Sequence, residues 1–84
     1  MTFVFSKEKY ETLKSADLSA LDQIIVFDDL DCSVKITSPR ELLIAINDEI
    51  ACKGMNDDYS QPNEYGAKLY EIYDEILSQR DAAQ

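Results

Sequence analysis

The stretch Gln23-Ile24-Ile25-Val26-Phe27-Asp28-Asp29-Leu30-Asp31-Cys32-Ser33-Val34-Lys35-Ile36-Thr37-Ser38-Pro39-Arg40-Glu41 decides the fold class. Its first five residues are a continuous β-branched and aromatic run of strand length, suited to a central strand buried on both faces. Asp28 to Asp31 are polar and turn-like; beyond them Cys32, Val34 and Ile36 alternate with Ser33, Lys35 and Thr37. That period of two marks a strand with one face on the core and the other in water. Two strands joined by so short a polar turn predict a β-hairpin. Ser38-Pro39-Arg40-Glu41 then places serine at a helix cap, proline at the first helical position and glutamate three past the serine. This is a capping box, and it predicts a helix starting at Pro39.

Working outward, Leu42, Leu43, Ile46 and Ile50 recur at helical spacing, and Lys53-Gly54 supplies a cation for the last turn and a left-handed stop. Residues 55–61 read as a polar connection, after which Pro62 and Glu64 repeat the helix-start pattern. The last helix is expected to reach about Arg80, with Tyr65, Leu69, Ile72 and Ile76 on one stripe and Gly66, Tyr70, Tyr73 and Leu77 on a second beside it. Toward the N-terminus, residues 2–5 read as a short strand. Ser6 can cap a short helix through Ser15, with Tyr10 and Leu13 on its apolar face. Residues 17–22, with Leu18 and Leu21, fit either a helical turn or a loop. The whole reads β-α-β-β-α-α, a small two-layer α+β sandwich in which two long helices and one short helix cover one face of a sheet of three strands or so. Strand order is not fixed by these patterns; first and second strands lying side by side in parallel would be joined by a right-handed crossover. One domain is expected over residues 1–84, with 81–84 as a frayed tail.

The 84 residues hold 17 acidic and 8 basic side chains and no histidine, for a net charge of −9. Without imidazole there is no histidine base, no Ser/His/Asp or Cys/His pair and no histidine metal ligand. No glycine-rich phosphate loop is present, and an 84-residue chain leaves little room for a substrate cleft between paired carboxylates, so no catalytic residues and no cofactor are expected. Calcium fails on spacing: a loop starting at Asp29 has Val34 and Arg40 where glycine and glutamate are required, and one starting at Asn56 has Gln61 and Ala67. No metal site is expected. Cys32 and Cys52 form no CxxC pair and read as small core residues, with a disulfide or a redox role as the alternatives. Residues 1–8 lack a basic leader pattern and no run approaches the ~18 apolar residues of a membrane span, so a cytoplasmic protein with reduced thiols is expected.

The acid is uneven. Residues 1–27 carry net −1, residues 28–58 net −5 and residues 59–84 net −3. Clusters stand at Asp28, Asp29 and Asp31 in the hairpin turn, at Asp48-Glu49 in the first long helix, at Asp57 and Asp58 between the long helices, and at Glu71, Asp74 and Glu75 on the last helix. On that helix the three carboxylates, with Glu64, lie opposite the aromatic stripe, and Lys68 is the only nearby cation along it. A solvated face that keeps the chain in solution is the plainer explanation. The sharper one is a surface for a basic protein, with attraction that speeds encounter and weakens with salt. Direct nucleic-acid binding is not expected, because net −9 repels phosphate. In size and charge the chain resembles the small acidic inhibitors of DNA-binding proteins and nucleases, many of them carried by phages; the likeness is one of composition. The charge clustering predicts a non-enzymatic role in which the chain binds, and inhibits or regulates, a basic protein, with Asp28, Asp29, Asp31, Asp57, Asp58, Glu71, Asp74 and Glu75 as the contact residues. A self-associating adaptor is the alternative, using Gly66, Tyr70, Tyr73 and Leu77 to pair two copies, so monomer and homodimer both stay open.

Overall fold

The computed structural model describes residues 1–18, 21–56 and 61–82. The elements are β1 (Thr2–Val4), α1 (Lys7–Ser15), β2 (Ile25–Asp28), β3 (Ser33–Ile36), α2 (Pro39–Lys53) and α3 (Glu64–Ala82). They form an α+β sandwich in the order β-α-β-β-α-α, with the helices packed on the sheet.

The sheet runs β1-β3-β2 and is antiparallel throughout. β2 and β3 are the expected hairpin. The centre is β3, however, and not β2: Ile25 faces the core, while Val26 is 63% exposed. A sheet covered on one face needs only alternate buried positions, so the β-branched run of β2 reflects strand preference rather than burial on both sides. β1 pairs with β3 and not with β2, so no parallel crossover exists. Across the covered face, Phe3, Val34 and Phe27 align in one row, and Ile36 aligns with Ile25 in the next. Thr2, Lys35 and Val26 form the row on the outer face. Cys32 closes the hairpin turn at φ 50°, a left-handed position that a chain with no glycine there must fill with a side-chain-bearing residue.

Beneath the sheet, Leu13 of α1, Leu42 and Ile46 of α2, and Leu69, Ile72 and Ile76 of α3 are fully buried. Leu18 and Leu21 join them: the Leu21 N–H donates to the Leu18 carbonyl and the Ile24 N–H to the Leu21 carbonyl, both at 2.8 Å, while residues 19–20 of the expected turn or loop lie outside the described residues. Ser6 caps α1 by accepting the Lys9 N–H at 3.4 Å. Ser38 departs from the capping box: its hydroxyl makes no cap bond, and its backbone carbonyl accepts the N–H groups of Glu41 and Leu42 instead. The fixed φ of Pro39 starts the helix without the side-chain cap. α3 runs on through Asp81 and Ala82, and residues 83–84 of the expected tail lie outside the described residues.

Gly54 ends α2 at φ −97°, which is not left-handed. Its missing side chain serves packing. A Cβ on Gly54 would stand 2.8 Å from the Gly66 Cα, and one on Gly66 would stand 2.7 Å from the Gly54 carbonyl carbon. The end of α2 and the first turn of α3 thus meet backbone to backbone. Asn63 fastens the same junction. Its N–H donates to the Gly54 carbonyl, its Oδ1 accepts the Gly66 N–H, and its side-chain amide donates to the carbonyls of Lys53 at 2.9 Å and Met55 at 3.2 Å. One side chain therefore caps the start of α3 and satisfies carbonyls at the end of α2. At the far end of α3, Gln79 pairs with the open edge of β1, its Oε1 accepting the Val4 N–H at 3.0 Å and its Nε2 donating to the Val4 carbonyl at 2.8 Å.

Gly66→Ala is expected to lower stability by about 3 kcal/mol through overpacking. Asn63→Ala is expected to lose about 2 kcal/mol from the missing cap and the orphaned carbonyls. Asn63→Asp keeps the acceptor for Gly66 and loses only the donor, so it should fall between Asn63→Ala and the parent in urea denaturation followed by circular dichroism.

Candidate functional site

In the hairpin turn, Asp28 folds back on its own backbone. Its Oδ1 accepts the N–H of Leu30 at 3.0 Å and of Asp31 at 3.4 Å, the arrangement that suits aspartate to turns. Asp29 reaches α1, where its Oδ1 accepts from the Tyr10 hydroxyl at 2.5 Å and the Lys14 ammonium at 2.6 Å. The Tyr10 ring meets Phe27 edge-on with centroids 6.0 Å apart. Burial pushes the Tyr10 phenol up to about 12, and the Asp29 carboxylate adds to the effect. The bond from Lys14, and then that from Tyr10, holds the Asp29 carboxyl below its ordinary value. Two of the three hairpin carboxylates are thus tied into the fold. Asp31 is exposed and enters no ion pair among the described residues.

On α3, Glu75 accepts from the Lys9 ammonium of α1 at 2.7 Å. That hydrogen bond holds the ammonium above its ordinary value against the opposing effect of desolvation, with the charges of Glu75, Glu71 and Glu8 adding to it. Lys68 lies 3.7 Å from Glu8 and 4.0 Å from Glu64. Lys9 therefore joins Lys68 against this ridge, a charge from another element that spacing along α3 does not reveal. Glu71 and Asp74 remain exposed, without an ion pair among the described residues. Through Lys14 and Lys9, α1 neutralises one carboxylate of the hairpin turn and one of the α3 ridge. Asp57 and Asp58 lie outside the described residues.

No protein-family model matches the chain, and no curated protein or solved structure is detectably similar to it. Its function is to be read from its own side chains.

Among the four residues of the tyrosine face, Gly66 is buried against Gly54 of the same chain. Tyr73 and Leu77 are half-buried and packed on the core, and Tyr70 is 42% exposed. Cys32 and Cys52 are both free thiols, half-buried and exposed respectively.

Charge counting groups Glu49 with Asp48 and does not reveal that Glu49 is buried. It is the one charged side chain buried among the described residues. Its Oε2 accepts the Asp17 N–H at 2.8 Å, and the Lys53 ammonium lies 3.5 Å from its Oε1. Tyr65 is pushed above its ordinary phenol value by burial, with the Glu49 charge adding to the shift. The signal is present in the sequence: position 49 lies seven residues past Leu42 and three past Ile46, so a carboxylate stands on the apolar stripe of α2.

The pH dependence of stability follows from these contacts. A phenol raised from 10.0 to about 12 favours the folded state fully below pH 10, and this contribution is lost as pH rises through the folded value. Lys9, raised above 10.5, acts in the same direction. Asp29, lowered from 3.8, contributes above that pH, and its contribution is lost as pH falls through the folded value. Urea midpoints should therefore fall above pH 10, and fall less steeply in Tyr10→Phe. Absorbance titration of that variant should lack the tyrosinate component near pH 12.

Proposed function

We propose that this chain is a non-enzymatic acidic interaction protein that binds, and inhibits or regulates, a basic nucleic-acid-handling protein in the cytoplasm. One observation carries the reading. After the internal ion pairs are formed, Glu71 and Asp74 on α3 and Asp31 at the hairpin tip still face solvent without a close ion pair among the described residues, in a chain of net charge −9. Glu71 and Asp74 are three apart on one helix, where like charges repel and slightly destabilise the fold. A basic partner relieves that repulsion. Carboxylates held on a rigid helix also offer negative charge where a lysine- and arginine-lined groove would otherwise take phosphate. Encounter is then steered by long-range attraction that salt screens.

The second reading is self-association through the helix layer, and the exposure of Tyr70 and Ile44 favours it. The close approach of Gly66 is already used within the chain, which leaves Tyr70 as its principal anchor.

The test is a pull-down with the tagged chain from nuclease-treated lysate of the source cell, washed at rising salt, beside the charge-reversed variant Glu71→Lys/Asp74→Lys. Capture of a basic protein that elutes as salt rises, with affinity reduced about tenfold in the variant, is the expected result. Equal capture by the parent and the variant removes Glu71 and Asp74 from the interface. Recovery of the chain alone, with light scattering giving a salt-resistant dimer that Tyr70→Glu abolishes, replaces the first reading with the second.

A further inference from the structure

Glu49 does more than satisfy a loop amide. Its side chain forms part of the wall of a cleft of about 300 Å³, shared with Asp17, Leu18, Ala45, Asp48, Cys52 and Lys53. The carboxylate is buried, and its Oε2 is occupied by the Asp17 N–H at 2.8 Å. Its Oε1 is closed off from solvent and accepts no hydrogen bond among the described residues. The Lys53 ammonium, at 3.5 Å, supplies charge without a hydrogen bond, on a side chain that is 62% exposed. A buried carboxylate oxygen left in this state is incomplete, because an ionised carboxylate accepts at both oxygens and gains most from charged donors.

The lining indicates which donor fits. Asp48 and Glu49 stand in the lining against the one ammonium of Lys53, so the cleft favours a cation. No group of three or more His, Cys, Asp or Glu side chains among the described residues converges as a metal site would. Leu18 and Ala45 give the cleft apolar wall, which suits an alkyl stem. An ammonium is already present and fails to donate. A guanidinium is planar, weakly hydrated and forked, and its several N–H groups can reach Glu49 Oε1 with a geometry that the Lys53 ammonium does not achieve.

We propose that this cleft receives an arginine side chain of the basic partner. The guanidinium enters where Lys53 now stands and donates to Glu49 Oε1, and the stem lies along Leu18 and Ala45. The assignment rests on the reading of the chain as a binder of a basic protein, and gives that partner one specific anchor among otherwise long-range charge contacts.

The test is a titration of the ¹⁵N-labelled full chain with Nα-acetyl-L-arginine amide, followed by amide shifts, with the neutral isostere Nα-acetyl-L-citrulline amide as control. The arginine probe should give saturable shifts at Asp17, Asp48, Glu49 and Cys52, and the citrulline probe none. Glu49→Gln keeps an oxygen for the Asp17 N–H and should weaken the arginine response about tenfold, in keeping with loss of a charge-assisted pair. Lys53→Met removes the competing ammonium and should strengthen the response a few-fold. Unsaturated shifts centred on Glu71 and Asp74, or an equal response in Glu49→Gln, overturn the cleft and leave the proposed function standing. That function fails separately, if the pull-down captures no basic protein. Should Glu49→Gln not fold, Lys53→Met decides alone: an unchanged or weaker response overturns the proposal.

Discussion

The chain has two glycines, and they touch each other. No other residue fits at either place, because each missing Cβ leaves room for the backbone of the other. This contact fixes how closely the end of α2 approaches the start of α3, and the packing of α2 against α3 develops from it. Asn63 is the polar half of the same joint, since it bonds to both helix ends at once. With that corner set, α3 runs back along the core to deliver Glu75 to Lys9 and Gln79 to β1. Helix junction, helix–helix ion pair and sheet edge are thus three consequences of one close approach.

Much of this architecture is legible in residue patterns where local physics decides the outcome. Alternation in Val34-Lys35-Ile36 and proline at the head of α2 act within a few residues, and both elements form where those signals lie. The misreadings share another cause. The run from Ile24 to Phe27 looks central because it is apolar, yet which strand occupies the centre depends on where β1 returns from outside the hairpin. Gly54 resembles a left-handed stop because that is glycine's commonest use at a helix end, whereas here its role is set by a partner twelve residues away. Cys32, by contrast, adopts the left-handed conformation without the residue type that announces it.

Charge follows the same division. Segment counts find the acidic clusters and cannot say which carboxylates are already committed. Asp28 makes a turn, Asp29 and Glu75 hold α1 from its two sides, and Glu49 secures the backbone after α1. What remains outward is a smaller set, with Glu71, Asp74 and Asp31 foremost among the expected contact residues. Acidic side chains in this protein thus do two kinds of work, internal fastening and external display, and net charge alone does not separate them.

The bond pair between Gln79 and Val4 also bears on the company this protein keeps with itself. A short strand such as β1, Thr2-Phe3-Val4, at the rim of a sheet presents hydrogen-bonding groups to any extended chain that drifts past, which is how ordered aggregates begin. The Gln79 amide offers that rim one donor and one acceptor in the positions an added strand would use, and so fills the vacancy from within. Because the amide rides on α3, the guard is in place only once the helix has docked. Native packing and the covering of this one rim are therefore won in the same folding step.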